Sequence, residues 1–288
     1  MSFKYINPGI AHRSMINNYT NTNYYSGLCL ANGSFSVDLP PDTKEVYVLF
    51  QGYVRGFGSA SQHVYAKNGS GLKTGLWNDG NTGADTYMLN NQTFSSRYQL
   101  ITNTFHVIFL HIVSDSSAGV FTSLINGQSA VNRTGINVLN GEDITQIGFE
   151  SGYDMSFSGI IISDEPISPA ERVCALPVSA TNTTMQDNGN GTYTATAAGQ
   201  TVMQTVDAAS LAATIGEASK ITGICAIVNP AYYDGDGLSS IKAMKGEAEQ
   251  GSFALSTDTT GAASASWKEN DISISDLGRM NLGWKSAT

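Results

Sequence analysis

The run Trp77-Asn78-Asp79-Gly80-Asn81, followed by Asp85-Thr86-Tyr87, is the densest group of chemistry-bearing side chains in this sequence. An indole or phenol face covers the apolar side of a sugar ring, while amides and carboxylates around it bond the hydroxyls. Tyr53, Arg55, His63 and Tyr65 stand on neighbouring segments. They are candidates to join Trp77, Asn78, Asp79, Asp85 and Tyr87 in one ligand-binding site. Asp79 and Asp85, with Asn78 and Asn81, also form an oxygen-rich set suited to calcium. The alternative is structural: Trp77 fills a core and the Asn/Asp loop is a solvated hairpin. A second acidic loop, Tyr232-Tyr233-Asp234-Gly235-Asp236-Gly237, reads as turn chemistry first.

Other chemistries find little support. His106 and His111 are five apart, so on a strand they face opposite ways and share no metal. The adjacent acids Glu142-Asp143 and Asp164-Glu165 also point apart, whereas glycoside cleavage needs carboxylates facing each other about 5–9 Å apart. Cys29, Cys174 and Cys225 are too widely spaced for a zinc site and read as buried free thiols. A Gly-x-Ser-x-Gly elbow and a Walker-type phosphate loop are both missing from the sequence. No catalytic residue is assigned, and enzymatic activity is not expected.

The elements that must position these residues are strands. The chain has 288 residues, 41% of them hydrophobic and only 14% charged, with a net charge of −9. The acidic balance argues against nucleic acid and against docking on anionic membrane. No apolar run approaches the roughly 18 residues of a membrane-spanning helix, and no signal peptide is visible. Short Val/Ile/Phe/Tyr/Thr segments bounded by Gly, Asn, Asp and Ser predict an all-β sandwich. Strands are predicted over residues 35–39, 45–54, 75–77, 86–89, 98–101, 106–114, 120–125, 145–149 and 155–163. FHVIFLHIV at 105–113 is apolar on both faces, as in a strand buried centrally. Asn126-Gly127 and Asn140-Gly141 mark turns with positive φ. Pro169 and Glu171 predict a short helix that Pro177 ends. Asp207 is a plausible cap for a second helix ending near Ile215. A Ser/Thr/Asn/Gly-rich stretch begins near residue 178, which places a sandwich at 1–177 and a smaller β-rich domain at 178–288.

Four stretches carry a resemblance: YQLITNTFHVIFLHIV at 98–113, GVFTSLING at 119–127, ITQIGFE at 144–150, and a strand ending IIISDEPISPAER by residue 172. In order and spacing they resemble laminin-G-like, concanavalin A-like jelly-roll domains of the lectin/glucanase superfamily. That resemblance implies a jelly roll able to bind glycans, bind protein, cleave glycans or serve as structure. The Glu-x-Asp-x-x-Glu motif of its β-glucan-cleaving members is missing here. The C-terminal part is similar in style to small β modules of phage tails and bacterial surface proteins.

The leading expectation is a non-enzymatic module recognising a glycan or cell-surface receptor, on a phage tail, virion or bacterial surface. It would act as a homo-oligomer, a trimer in the virion setting, so that linked shallow sites add up. No cofactor is expected, calcium being the one weakly indicated candidate. One alternative is a purely structural virion or assembly protein. Another is a polysaccharide-cleaving enzyme, which requires a groove holding two carboxylates, or a Tyr with an Arg or Lys.

Overall fold

A computed structural model describes residues 4–7, 17–20, 28–31, 33–54, 61–78, 85–96, 100–101, 103–151, 155–228, 231–234, 237–257 and 263–288. The chain divides into two compact units, Met1–Cys174 and Ala175–Thr288.

The first unit is built from β1 (Lys4–Asn7), β2 (Asn17–Thr20), β3 (Leu28–Ala31), β4 (Gly33–Asp38), β5 (Glu45–Val54), β6 (Ser61–Asn68) and β7 (Lys73–Asn78). It continues with β8 (Asp85–Leu89), β9 (Gln92–Ser95), β10 (Thr104–Val113), β11 (Asp115–Ile125), β12 (Gln128–Val138), β13 (Ile144–Ser151) and β14 (Met155–Ser163). They form two antiparallel sheets. The eight-stranded sheet has the order β12-β11-β10-β5-β14-β3-β2, with β1 also on β14. The six-stranded sheet has the order β4-β13-β6-β7-β8-β9. The expected all-β jelly-roll sandwich is what the chain forms.

Alternation along each strand fills the space between the sheets. Val46, Val48, Phe50, Ile108, Leu110, Ile112 and Phe157 come from one side, and Phe35, Val64, Leu76, Tyr87, Ile147 and Phe149 from the other. Burying each large side chain contributes roughly 1.5–3 kcal/mol. Strands β5 and β10 pair along their whole length at the centre of the eight-stranded sheet. They are packed on both faces, as the apolar run of β10 predicts. On the outer face Tyr47, Leu49, Phe109 and Ile161 form a second cluster with Ile167, and Val173 packs against it.

That outer cluster corrects the helix expected near Pro169. The segment makes a single turn, with the Glu171 N–H donating to the Ser168 carbonyl at 3.0 Å, and then runs on without helix. Two contacts outweigh its helical start signal. Ile167 is held on the apolar sheet face, and the Glu171 carboxylate reaches Lys4 Nζ at 2.9 Å. The other Glu171 oxygen accepts the Ser168 N–H at 3.1 Å. The strand expected over 98–101 is also corrected in part. Residues 97–99 lie outside the described residues, while Leu100 and Ile101 are not strand. There the His106 ring Nε2 lies 3.1 Å from both the amide N and the carbonyl O of Ile101. The two turns form as expected: Asn126 and Gly127 have φ of 51° and 78°, and Asn140 and Gly141 have 55° and 69°.

The second unit contains β15 (Val178–Thr183), β16 (Gln186–Asp187), β17 (Tyr193–Thr194), β18 (Thr201–Val206), α1 (Ala208–Ile215), β19 (Lys220–Val228), β20 (Ser240–Lys245), β21 (Ala248–Ala254), β22 (Ala263–Ser273), α2 (Ile274–Leu277) and β23 (Asn281–Ala287). A five-stranded sheet, β15-β18-β23-β20-β21, is accompanied by the pairs β16–β17 and β19–β22. Asp207 caps α1 by accepting the Ser210 N–H at 3.1 Å, and Leu211 is fully buried. The buried Glu269 carboxylate receives Trp267 Nε1 at 2.7 Å and Lys245 Nζ at 2.6 and 2.7 Å. Cys174 and Cys225 are free thiols, half-buried, and burial pushes both up, Cys225 to about 11.

The Lys4–Glu171 pair is nearly dry, with side-chain exposures of 4% and 18%. Removing one charge of such a pair leaves the other desolvated, which costs more than replacing both. Glu171→Gln is expected to lower the stability of the first unit by about 3 kcal/mol in urea unfolding. The double variant Lys4→Met/Glu171→Leu is expected to recover most of that loss.

Candidate active site

In the six-stranded sheet, the residues that skip the core make up its outer face. Phe35 and Val37 point inward on β4, so Ser34, Ser36 and Asp38 point outward. Likewise Ile147 and Phe149 send Gln146, Gly148 and Glu150 outward on β13. Val64 and Ala66 do the same for Tyr65 and Lys67 on β6. Buried Leu76 on β7 puts Lys73, Gly75 and Trp77 on the outer face.

Strand register arranges these residues in rows. Asp38, Gln146, Lys67 and Lys73 form one row, and Ser36, Gly148, Tyr65 and Gly75 the next. The Tyr65 ring lies directly over Gly148: a Cβ on that glycine would stand 2.3 Å from Tyr65 Cζ. Lys73 Nζ sits 4.1 Å from the centre of the same ring, a cation–π contact. The Glu150 carboxylate stands close enough to the Tyr65 hydroxyl to act on it. Burial first, then the charge and hydrogen bond of Glu150, pushes the Tyr65 phenol up to about 12. The Gln146 amide donates to Asp38 Oδ1 at 3.1 Å. A depression of about 480 Å³ lies at the β4 edge of this sheet, lined by Ser34, Ser36, Tyr65, Gln146 and Glu150 of the outer face and by Tyr5, Phe35 and Val37 of the core side. A phenol that stays protonated beside a carboxylate is suited to proton transfer.

The residues expected from sequence to form one site are divided by the fold. Tyr65 and Trp77 share the outer face of the six-stranded sheet, and Trp77 is half-buried. Tyr87 does not join them. It is fully buried between the sheets, its hydroxyl 3.0 Å from Ser123 Oγ and its ring 5.8 Å from Phe94 and from Phe121. Its partner across the sheet is Leu76, which fixes its inward direction. Tyr53 belongs to the other sheet and packs against Phe105, rings tilted and 4.7 Å apart, on that sheet's outer face. His63 is buried. Asn78 and Asp85 are paired strand residues. Arg55, Asp79, Gly80 and Asn81 lie outside the described residues, and with Asp79 goes half of the expected calcium set. Among the described residues no group of three or more His, Cys, Asp or Glu gathers as a metal centre. In the second loop Tyr232 is exposed, while Gly235 and Asp236 lie outside the described residues.

A second titratable cluster lies on the eight-stranded sheet. Glu45 Oε1 accepts the Tyr47 hydroxyl at 2.6 Å and lies 2.8 Å from His111 Nε2. The Tyr47 and His111 rings stack at 4.3 Å. Burial raises the Glu45 carboxyl, but the bonds from Tyr47 and His111 outweigh it and hold the group below its ordinary value. This cluster borders the apolar patch closed by Ile167.

Glu150, Gln146 and the two lysines escaped the sequence reading. Each lies on a strand far from Tyr65 in the chain or carries no motif. The available signal was Gly148 inside ITQIGFES, since a glycine within a strand marks a close approach by another group.

No family model matches the chain, and no curated protein does. Solved structures do. The chain is similar to Trypanosoma rangeli sialidase in complex with sialic acid, with 11% identity and a TM-score of 0.44 over 57% of this chain and 31% of the sialidase. It is similar to an alginate lyase with 12% identity and a TM-score of 0.39, covering 57% of this chain and 96% of the lyase. It is also similar to an endo-β-1,4-glucuronan lyase from the fungus Trichoderma reesei, with 10% identity and a TM-score of 0.34 over 55% and 94% of the two chains. The chain thus spans less than a third of the sialidase's length. All three are enzymes that act on carbohydrates. By name they run counter to the expectation of a non-enzymatic recognition module.

Proposed function

We propose that the first unit is a polysaccharide-cleaving enzyme whose active site is the outer face of the six-stranded sheet. One observation carries this reading: Tyr65, covered by Lys73, lines a depression together with Glu150. The cleaving alternative calls for a Tyr with an Arg or Lys, and Lys73 stands over the Tyr65 ring.

The chemistry follows from the pair. The Tyr65 phenol, held protonated, donates its proton to the departing glycosidic oxygen as the bond breaks. Glu150 accepts the proton removed in the same event, either from water in a hydrolysis or from carbon in an elimination. A proton passed from Glu150 back to the neighbouring Tyr65 oxygen restores both groups. Gly148 is a positioning residue, because the ring keeps its place only while nothing projects beneath it. Trp77, two residues along β7 from Gly75, offers a ring for sugar stacking.

The finer assignment of the sandwich to laminin-G-like, concanavalin A-like domains belongs to this proposal and rests on the four stretches named above. So does a virion or bacterial-surface setting, supported by the acidic, Ser/Thr/Asn-rich composition.

Two experiments test the reading. In reducing-end assays across a panel of polysaccharides, Tyr65→Phe is expected to lower cleavage about 10²–10⁴-fold with an unchanged melting curve. Cleavage unaffected by Tyr65→Phe would remove the proposed site. In Gly148→Ala the added methyl displaces the ring from Glu150. Tyrosinate absorbance is then expected to show one tyrosine titrating nearer its ordinary value than about 12, with kcat falling more than KM rises.

A further inference from the structure

Two lysines on this face face each other. Lys67 and Lys73 are direct partners across β6 and β7, and both point away from the core. Directly opposed side chains on adjacent strands start about 5 Å apart at Cβ, and like charges in that arrangement repel. The chain carries only 15 Lys and Arg against 24 Asp and Glu, so two adjacent cations stand out. Among the described residues Lys67 makes no ion pair. The carboxylate in its row, Asp38, is two strands away, roughly 10 Å, and is bonded to the intervening Gln146. The lysine pair lies one row from the Tyr65 hydroxyl's own row, and Lys73 already touches the Tyr65 ring.

We infer that the substrate is an acidic polysaccharide, with Lys67 and Lys73 together holding the carboxylate of a uronate residue beside Tyr65. This rests on the cleaving role proposed above and names its substrate class. An oxyanion between the two ammoniums converts their repulsion into two attractions. Held there, the carboxylate also sets the reaction. The C5–H bond next to it is acidified when its charge is neutralised, as in proton abstraction α to a carbonyl. Glu150 takes the C5 proton, and the electron pair forms a C4–C5 double bond. The C4–O4 bond breaks, and O4 leaves with the Tyr65 proton. Water does not enter the products. A sulfated sugar offers the same oxyanion chemistry to the lysines but no acidified C–H, so it would bind without elimination.

The test uses the full chain with alginate, dextran sulfate and dextran as probes. Wild type is expected to release unsaturated, ultraviolet-absorbing ends from alginate and nothing from dextran. Lys67→Gln, which leaves the Lys73–Tyr65 contact intact, is expected to lose about tenfold or more in kcat/KM on alginate, and Lys67→Arg to retain most of it. Tyr65→Phe should still be retarded in native gels containing alginate, and Lys67→Gln/Tyr65→Phe should not. Melting curves establish that each variant is folded. Unsaturated ends that depend on Lys67 support the inference. Equal retardation by dextran, or full activity in Lys67→Gln, overturns it. Retardation by dextran sulfate without retardation by alginate overturns the uronate assignment. Tyr65-dependent cleavage of dextran would overturn the acidic-sugar inference while leaving the cleaving role standing. Cleavage of none of these polymers by folded wild type, together with no retardation by alginate, would overturn both.

Discussion

Phe149 is the residue on which both the core and the site depend. Its ring stacks on Phe35 at 4.8 Å and meets Phe50 and Phe157 edge-on at 5.8 and 5.4 Å. It therefore locks the six-stranded sheet to the eight-stranded one. Because successive strand residues face opposite ways, fixing Phe149 inward fixes Gly148 and Glu150 outward. The Tyr65 ring then has its platform, and the Glu150 carboxylate stands on the same face. A slip of β13 by one residue would put Glu150 in the core and Phe149 in water. The aromatic cluster that stabilises the sandwich thus also sets the geometry of the proton-transfer pair.

The parts of this arrangement legible in the sequence are those that rest on local pattern. Strands β5 and β14 run over the residues predicted for them, because Glu45–Val54 and Met155–Ser163 are long and rich in β-formers. Asn126-Gly127 turns as its positive φ values require, and Asp207 caps its helix. Trp77 and Tyr65 could be named as chemistry-bearing aromatics from type and neighbourhood. What the sequence hid was partnership across strands. Tyr87 has the same credentials as Tyr65, but its register with Leu76 turns it inward. Glu150 follows an apolar residue on a strand that looks structural, and its pairing to Tyr65 spans 85 positions. The helix expected near Pro169 failed for a related reason. Its local start signal is real, but Ile167 and Glu171 are claimed by tertiary partners from β1, β5 and β10.

The two sheets do not offer equivalent outer faces. On the eight-stranded sheet the central outer positions are Leu49, Phe109 and Ile161, and the chain closes over them with Ile167 and Val173. Lys4–Glu171 pins that closing segment in place. Its apolar centre is therefore already occupied by the protein itself, and the Glu45–Tyr47–His111 cluster is left at the margin. The six-stranded sheet carries Ser, Gln, Asp, Glu, Lys and Tyr at the corresponding positions. These groups keep their hydrogen-bonding capacity only if they meet water or a polar ligand.

That asymmetry also explains why the lysine pair fits where it does. A cation on the eight-stranded sheet's outer face has to be desolvated and matched by a buried carboxylate, as Lys4 is by Glu171. On the open face Lys67 makes no ion pair among the described residues, and Lys73 rests against the Tyr65 ring, so neither cation is matched by a buried carboxylate as Lys4 is. Displacing water with a polymer that carries a carboxylate on every sugar raises the local field from both ammoniums just where charge develops in the transition state. A neutral polymer would desolvate the same two ammoniums and return no charge to them. Discrimination against neutral chains therefore follows from the face on which the cations are mounted, as much as from the cations themselves.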